Sequence, residues 1–233
     1  MLDLKKKIAI FDIDGTIFRK NLAFELIYQL TWMKVFEKKV RSELVRYYNN
    51  WLEHIGVYDD YRQALVRIYG ENIKGCRKED VLQASQEIMA FHKDRTYIFA
   101  DSLIQKLKSE NYNIIAISGS PSEIVNEYNK YLQFDATFGC VYEVDEQGRY
   151  TGKIVFEPPI RKGEVANQYI SENNLTLEDS YGIGDTQSDA DFLELVENPI
   201  AFNPNQNLKD LAEEKGWRIV VEKKDVIYEI NKK

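Results

Sequence analysis

The sequence predicts an α/β fold in which helices cover both faces of a parallel sheet, with an all-helical segment inserted near the start. Three observations predict it. A short apolar, strand-like run opens the chain, a strand-poor stretch with helical spacing follows, and strand and helix patterns alternate from about residue 94 onward. Right-handed crossovers between parallel strands bring the carboxyl ends of the strands to one edge of the sheet, where ligands bind in such folds.

The elements follow in order along the chain. The first strand is predicted over residues 6–12, where the apolar run is too short for a helix. Between Asn21 and about Lys93, apolar residues recur at spacings of three and four, which predicts helices over 22–36, 40–56, 59–70 and 78–93. A helix is then predicted over 99–111, a strand over 112–121 and a helix over 122–132 with Ser122 as its cap. A hairpin over 136–156, which turns near Gln147 and Gly148, and a helix over 161–174 follow. The last predicted elements are a strand over 179–184 followed by an acidic loop, a short helix over 190–197, a strand over 198–204, a helix over 206–216 and a strand over 217–221.

Composition excludes several classes of partner. The chain has 233 residues, of which 44% are apolar and 30% charged, and no apolar run approaches the ~20 residues of a membrane-spanning helix. A net charge of −7 makes nucleic acid a poor partner, but a local basic pocket for a small anion is compatible with it. The N-terminus lacks the apolar stretch of a signal peptide, and Cys76 and Cys140 form no metal-binding or disulfide pattern, so we expect a cytoplasmic protein with reduced thiols. The oligomeric state stays open.

Chemistry-bearing residues follow the predicted strands. Asp12 and Asp14 end the first strand, and two like charges side by side cost free energy unless water or a cation offsets them. Each of the later features alone is common in turns, caps or surfaces, and their joint position at strand ends and helix starts is what points to a site. These features are Ser118, Gly119 and Ser120 after the second strand, Lys162 and Gly163 at a helix start, and Asp185 and Asp189 after the strand YGIG.

The order of these motifs resembles the haloacid dehalogenase superfamily of phosphohydrolases. DIDGT, SGS, Lys162 and GDTQSD match the four motifs of that superfamily, and the inserted helices and the GDxxSD form of the last motif point to its phosphoserine-phosphatase-like branch, subfamily IB. The resemblance implies a Rossmann-like core of residues 1–18 and 94–233 and a helical cap of residues 19–93. It also implies Mg²⁺-dependent hydrolysis of a small-molecule phosphate ester through an aspartyl-phosphate.

The resemblance also implies roles for the catalytic and phosphate-binding residues. Asp12 is expected to attack phosphorus, and Asp14 to protonate the leaving alcohol and then activate water. Ser118 and the N–H of Gly119 are expected to hold phosphoryl oxygens, and Lys162 to neutralise their charge. Thr16 either binds phosphate or stabilises its loop.

A metal site is implied by the same motifs. Asp12 and Asp185 would each supply a carboxylate oxygen to Mg²⁺, and Asp14 its backbone carbonyl. Asp189 would support the metal, directly or through water, or would orient Lys162.

The sequence determines the substrate less closely than it determines the catalytic motifs. In phosphoserine phosphatases a glutamate follows the nucleophile by nine residues, whereas here that position is Asn21 and the nearest acid is Glu25, one helical turn later. Ser188 also stands where the fourth motif usually has asparagine. Phosphoserine is therefore possible but not required, and Asn21 and Glu25 are predicted to contribute to specificity. The spacing of Tyr47, Tyr48 and Trp51 is more typical of helix packing than of a substrate cage, and His54 and His92 fit no metal pattern.

Other functions fit the sequence less well than hydrolysis of a phosphate ester. The founding dehalogenases lack the second aspartate, so the presence of Asp14 favours phosphoryl transfer. A phosphotransferase or mutase would keep Asp14 but usually carries a smaller cap. A non-catalytic phosphate- or metabolite-binding module on the same fold is the alternative of a different class, and such a module would be free to lose Asp12, Asp14 or Lys162. A dinucleotide-binding enzyme is disfavoured because GIGD lacks the required glycine pattern.

Overall fold

The computed structural model describes residues 5–230, whose strands form one eight-stranded sheet. The strands are β1 (Lys7–Phe11), β2 (Asn113–Pro121), β3 (Ala136–Val144), β4 (Tyr150–Phe156), β5 (Thr176–Gly184), β6 (Asn198–Phe202), β7 (Arg218–Lys223) and β8 (Val226–Ile230). The helices are α1 (Leu22–Trp32), α2 (Lys38–Leu52), α3 (Tyr58–Ile73), α4 (Lys78–His92), α5 (Ile98–Ser109), α6 (Ser122–Leu132), α7 (Lys162–Glu172), α8 (Ala190–Leu193) and α9 (Gln206–Lys215).

The strand order is β4-β3-β2-β1-β5-β6-β7-β8, with β1 near the middle. The six strands from β3 to β7 pair in parallel, while β4 and β8 pair antiparallel at the two edges. The hairpin of β3 and β4 is predicted by the sequence, but β8 is not. Strand β8 is therefore an addition to the predicted elements, and it extends the parallel sheet by a second antiparallel strand at the edge opposite the hairpin.

Helices cover both faces of the sheet, as predicted. Alternate residues of β1 enter different cores: Ala9 and Phe11 pack with residues of α1–α6, whereas Ile8 and Ile10 pack with residues of α7, α8 and α9. Because both faces of β1 are buried, the strand reads as a continuous apolar run rather than an alternating one. The α/β fold class is confirmed.

The central position of β1 creates the site edge. The chain continues from β1 to β2 on one side and later returns to β5 on the other side. Such a reversal of strand order opens a crevice at the carboxyl ends of the strands. The loops after β1, β2 and β5 therefore meet at one place.

Helices α1–α4 lie between β1 and α5 in the chain, which agrees with the predicted helical insertion. The two chain segments that connect them to the sheet pair with each other: the N–H of Arg19 donates to Arg95 O at 2.9 Å, and the N–H of Tyr97 donates to Ile17 O at 3.0 Å. The division into a core and a cap at residues 18 and 94 stays a prediction.

The predicted cap of α6 is wrong. Ser122 is the first helical residue, and Pro121 holds the N-cap position without a side-chain hydrogen bond. Proline cannot donate a backbone hydrogen bond, so it ends β2 and begins the helix at the same point. The Ser122 hydroxyl instead contacts Glu123 Oε2 at 3.3 Å.

Candidate active site

Asp12 lies directly after β1 at the centre of the sheet edge. Its N–H donates to Ile183 O of β5 at 2.9 Å, and the residue is only 4% exposed. Four buried apolar residues precede it, so the strand that carries it is anchored on both faces. The backbone of Asp12 is therefore held by the most rigid part of the fold.

Lys162, the first residue of α7, is buried against two of the acids. Its Nζ donates to Asp12 Oδ1 at 2.6 Å and to Asp189 Oδ1 at 2.5 Å, and its side chain is 2% exposed. Burial alone would lower the pKa of Lys162, but the charges and hydrogen bonds of Asp12 and Asp189 raise it above its ordinary value. The lysine is therefore a charged group at neutral pH.

Three buried carboxylates meet beside this lysine. Oxygens of Asp12, Asp185 and Asp189 all lie within 4.8 Å of one another. Burial, supplemented by their mutual repulsion, raises the pKa of Asp12 to about 7 and that of Asp185 well above its ordinary value. Among these acids, Asp189 also uses its Oδ2 to accept the N–H groups of Asp185 and Thr186 at 3.0 and 2.9 Å.

The donor set fits a hard divalent cation. If all three carboxyl groups are ionised, the single ammonium of Lys162 leaves two negative charges uncompensated in a buried space. Asp12 Oδ2 is buried and has no hydrogen-bond partner within residues 5–230, which is costly for a carboxylate oxygen. Mg²⁺ prefers such oxygen ligands and would favour the charged form of each acid. The two carboxylate oxygens of Asp189 already accept hydrogen bonds from Lys162 and from backbone amides. This favours a role for Asp189 in orienting Lys162 over direct ligation of the metal.

Two glycines allow the acids to approach the backbone. Gly15 has a φ of +87°, and a Cβ on it would lie 2.2 Å from Asp185 Oδ2. A Cβ on Gly184 would lie 2.4 Å from the Cβ of Asp189. Gly15 is thus needed because the loops after β1 and β5 pack against each other, and Gly184 because the loop after β5 folds back against the end of its own strand.

Asp14 lies in the same loop as Asp12 but faces a different set of partners. Its Oδ1 accepts the N–H of Leu22 at 2.6 Å, and its Oδ2 accepts the hydroxyls of Ser118 and Ser120 at 2.6 and 2.8 Å. Burial raises the pKa of Asp14, while these hydrogen bonds oppose the rise. The Asp14 carboxylate is therefore separate from the three-acid group.

Ser120 is a site residue that belongs to the predicted SGS motif but had no predicted role. Its hydroxyl donates to Asp14 Oδ2 and accepts the N–H of Ala23 at 3.1 Å, so it joins the end of β2 to the first turn of α1. The available signal was its position two residues after Ser118 in SGS. A hydroxyl at each of these positions can reach the same carboxylate.

The other predicted phosphate-binding residues lie at the same edge. Ser118 is fully buried and accepts the N–H of Ser120 at 2.9 Å in addition to donating to Asp14. Gly119 lies between the two serines, and its carbonyl accepts the Cys140 thiol at 3.3 Å. The Thr16 hydroxyl is buried without a hydrogen-bond partner within residues 5–230, so no loop-stabilising bond through it is formed there.

The two predicted specificity residues lie on or next to α1. Asn21 is the N-cap of α1, and its side-chain oxygen accepts the N–H of Phe24 at 3.1 Å. Glu25 forms ion pairs with Lys20 at 3.1 Å and with Arg95 at 3.5 Å. Both residues line the cavity described next, and their part in specificity stays a prediction.

A cavity of about 1130 Å³ extends from the site edge into α1–α3. Gly15 and Asp185 line its inner end, and aromatic side chains line its wall. Those carried by α1–α3 are Phe24, Tyr28, Tyr48, Trp51, Tyr58 and Tyr61. Tyr48 and Trp51 pack against the core, as their spacing predicts, and both also line this cavity. Tyr47 does not line this cavity. Its ring lies beneath Arg46, with a distance of 5.2 Å from the guanidinium carbon to the ring centroid.

Residues 9–194 match the family model described as haloacid dehalogenase-like hydrolase. This range contains all four motifs and the three-acid group. The chain belongs to this family. The prediction of a hydrolase is thereby confirmed, and the family accounts for the order in which the site residues appear along the chain.

The chain is also similar, at low sequence identity, to individual known proteins. The chain is 26% identical to a histidinol-phosphatase from Neisseria meningitidis serogroup C, over 92% of this chain and 98% of that protein. It is 25% identical to a phosphoserine phosphatase from Methanocaldococcus jannaschii, over 97% of this chain and 96% of that protein. The fold matches a solved phospho-aspartyl intermediate analogue of phosphoserine phosphatase with a TM-score of 0.64, at 23% identity and 95% coverage of each chain.

The family relationship and the names of these relatives support a phosphatase. Within residues 5–230, no helix has both the length and the apolar character needed to cross a membrane.

Proposed function

We propose that this haloacid dehalogenase-like hydrolase is a Mg²⁺-dependent phosphatase, which cleaves a small-molecule phosphate monoester through an aspartyl-phosphate intermediate. The observation that carries the proposal is the buried Lys162, held between Asp12 and Asp189 beside Asp185. Phosphoryl transfer is catalysed mainly by positioning and by stabilising negative charge, and a fixed cation next to a carboxylate nucleophile supplies both.

In the first half-reaction, Asp12 attacks phosphorus with a carboxylate oxygen. A bond forms between this oxygen and phosphorus while the bond from phosphorus to the ester oxygen breaks. Asp14 gives its proton to the departing alkoxide, and its raised pKa suits a general acid. Lys162 and the N–H of Gly119 hold the phosphoryl oxygens as charge shifts onto them, and the Ser118 hydroxyl would turn from Asp14 to join them.

In the second half-reaction, Asp14 acts in the opposite direction. It takes a proton from a water molecule whose oxygen attacks phosphorus, and the bond to Asp12 breaks. Inorganic phosphate leaves and both carboxyl groups return to their starting states. Ser120 and the N–H of Leu22 hold Asp14 in place for both steps.

Asp12, Asp185 and the backbone carbonyl of Asp14 would hold the metal. When bound, Mg²⁺ would offset the repulsion between these acids and the phosphate dianion. Asp189 would serve mainly to orient Lys162. Thr16 is proposed as a further phosphate contact because its hydroxyl is buried without a partner within residues 5–230.

We also propose that residues 19–93 form a cap over a core of residues 1–18 and 94–233. The paired connecting segments around Arg19 and Thr96 would act as its hinge. Glu222 supports both segments, because its carboxylate forms an ion pair with Arg19 and its Oε2 accepts the N–H of Phe99 at 2.9 Å. Closure over the site would exclude water during the first half-reaction. A cytoplasmic location remains a prediction.

Phosphoserine and histidinol phosphate are the first candidate substrates, because relatives carry these activities in their names. A phosphotransferase stays an alternative, and a non-catalytic binding module is the alternative that the following experiment separates from the proposal.

The direct test is hydrolysis of p-nitrophenyl phosphate by the full chain. We expect release of p-nitrophenol with Mg²⁺ present, loss of release after EDTA treatment, and recovery when Mg²⁺ is restored in excess. No release from this ester or from a panel of small phosphate monoesters, by protein shown to be folded, would favour the binding module.

A further inference from the structure

We propose that the physiological substrate of this phosphatase is a phosphate monoester whose alcohol carries an aromatic or heteroaromatic ring, and that the aromatic wall of the cavity binds this ring. The six wall residues Phe24, Tyr28, Tyr48, Trp51, Tyr58 and Tyr61 are called the aromatic cage below. The inference rests on the proposed function, which supplies the phosphate end of the substrate.

The cage is one continuous set of ring contacts. The rings of Trp51 and Tyr61 are close to parallel, at 15° with centroids 6.4 Å apart. Tyr58 lies edge-on to Trp51 at 5.3 Å, and Phe24 stacks on Tyr28 at 4.7 Å. Tyr48 joins the two groups, because its ring centroid lies 5.8 Å from that of Phe24 and 5.7 Å from that of Trp51.

Five rings of the cage keep accessible surface at the cavity, and four of these, Phe24, Tyr48, Trp51 and Tyr58, also pack against the core. Tyr61 is buried, but Phe24, Tyr28, Tyr48, Trp51 and Tyr58 keep part of their surface accessible and line the open space. Helix packing alone would bury aromatic faces more completely, since their apolar area is the main reason to place them inside. Partly exposed rings gathered around a concave space are typical of a site for an apolar or flat ligand.

The cage is continuous with the catalytic edge. The same cavity is lined by Gly15 and Asp185 at its inner end. Burial raises the pKa of Tyr58, and the negative charge of Asp185 adds to this rise. Burial also raises the pKa of Tyr61, and the negative charge of Asp14 makes a smaller contribution to that rise. These tyrosines therefore lie within electrostatic reach of the catalytic carboxylates. A phosphate held by Lys162 would direct its alcohol part towards the cage.

The charges at the cavity favour a ring over the amine of an amino acid. Glu25 is the acid of α1 nearest to the cage in sequence, but it is already paired with Lys20 and Arg95. Asp59 is likewise paired with Arg62 at 3.1 Å. Both carboxylates already have cationic partners, so each offers a small ammonium group less uncompensated negative charge than an unpaired acid would. A ring needs no such exchange, since stacking on the cage uses surfaces that are already exposed.

The test compares three esters with similar primary alcohol leaving groups: 2-phenylethyl, 2-cyclohexylethyl and n-propyl phosphate. We expect kcat/KM for the phenylethyl ester to exceed that for the propyl ester by at least about tenfold, because a larger group fills the cavity. We expect it to exceed that for the cyclohexylethyl ester by about two- to tenfold, because only the flat ring stacks. Equal values for the phenylethyl and propyl esters would overturn the inference while leaving the phosphatase intact.

A substitution in the cage assigns the preference to these rings. Trp51→Leu keeps apolar bulk but removes a flat face, and we expect it to bring the phenylethyl-to-cyclohexylethyl ratio close to one. Trp32→Leu is the matched control, because Trp32 lies on α1, is 80% exposed and is outside the cavity lining. Its ratio should equal that of the wild type. A wild-type ratio in Trp51→Leu would show that the cage does not bind the ring.

Binding measurements separate this inference from the proposed function. The non-hydrolysable 2-phenylethyl and n-propyl phosphonates are titrated into the wild-type protein with Mg²⁺, and heat is measured. Tighter binding of the phenylethyl phosphonate by at least about tenfold supports the cage even if no ester is hydrolysed. Equal or undetectable binding of both compounds overturns it.

Discussion

Asp12→Asn is expected to lower kcat for p-nitrophenyl phosphate by at least roughly 10⁴-fold, the scale on which removal of a nucleophile acts. An amide is a poor nucleophile, so no aspartyl-phosphate forms. The change is nearly isosteric and removes a charge whose burial is unfavourable, so the variant should fold. Steady-state hydrolysis is measured with Mg²⁺ present, after the fold has been checked by thermal unfolding.

The matched control is Asp101→Asn, because Asp101 is exposed on α5. It should keep the wild-type rate. Removal of a nucleophile lowers the rate far more than tenfold. If Asp12→Asn retained more than about a tenth of the wild-type rate, another group would therefore have to be the nucleophile.

Lys162→Met is expected to lower the free energy of unfolding by about 3–5 kcal/mol, because it leaves Asp12 and Asp189 buried without their cation. It should also lower kcat by about 10²–10³-fold, since a fixed positive charge on the phosphoryl oxygens is lost. Urea denaturation measures the first quantity and hydrolysis of p-nitrophenyl phosphate the second. Both are measured without and with Mg²⁺, because bound metal would offset part of the unpaired charge.

Lys153→Met serves as the control, because its side chain is 69% exposed and pairs with Glu143 at the surface. Its unfolding free energy should stay within about 0.5 kcal/mol of the wild type. In addition, adding Asp189→Asn to Lys162→Met should restore part of the lost stability by removing one unpaired charge. Equal stability of Lys162→Met and Lys153→Met would contradict the buried ion-pair network.

The sequence predicted the site because a general rule of the fold brings distant residues together. Asp12 and Lys162 are 150 positions apart, yet they form a hydrogen bond. The rule that carboxyl ends of parallel strands share one edge was enough to place Asp12, Ser118 and Asp185 near each other. The need for glycine at positions 15 and 184 was not predicted, because it follows from the close approach of Asp185 and Asp189.

Other features depend on tertiary contacts that leave no local signal. Tyr48 and Trp51 have the spacing of packing residues, and only the arrangement of α1–α3 turns part of their surface to a cavity. Ser120 looks like an ordinary turn residue until α1 brings Ala23 to it. Strand β8 is exposed and short, and it owes its pairing to β7 rather than to burial of its own side chains.

The intermediate on Asp12 is tested most directly by trapping it in Asp14→Asn during reaction with p-nitrophenyl phosphate. The p-nitrophenolate group leaves without protonation, so the first half-reaction should proceed, whereas hydrolysis of the intermediate should slow because Asp14 no longer activates water. After an acid quench, mass spectrometry should find one phosphoryl group on the peptide that contains Asp12, together with a burst of p-nitrophenol. Steady release of p-nitrophenol with neither a burst nor a phosphorylated peptide would contradict the aspartyl-phosphate mechanism.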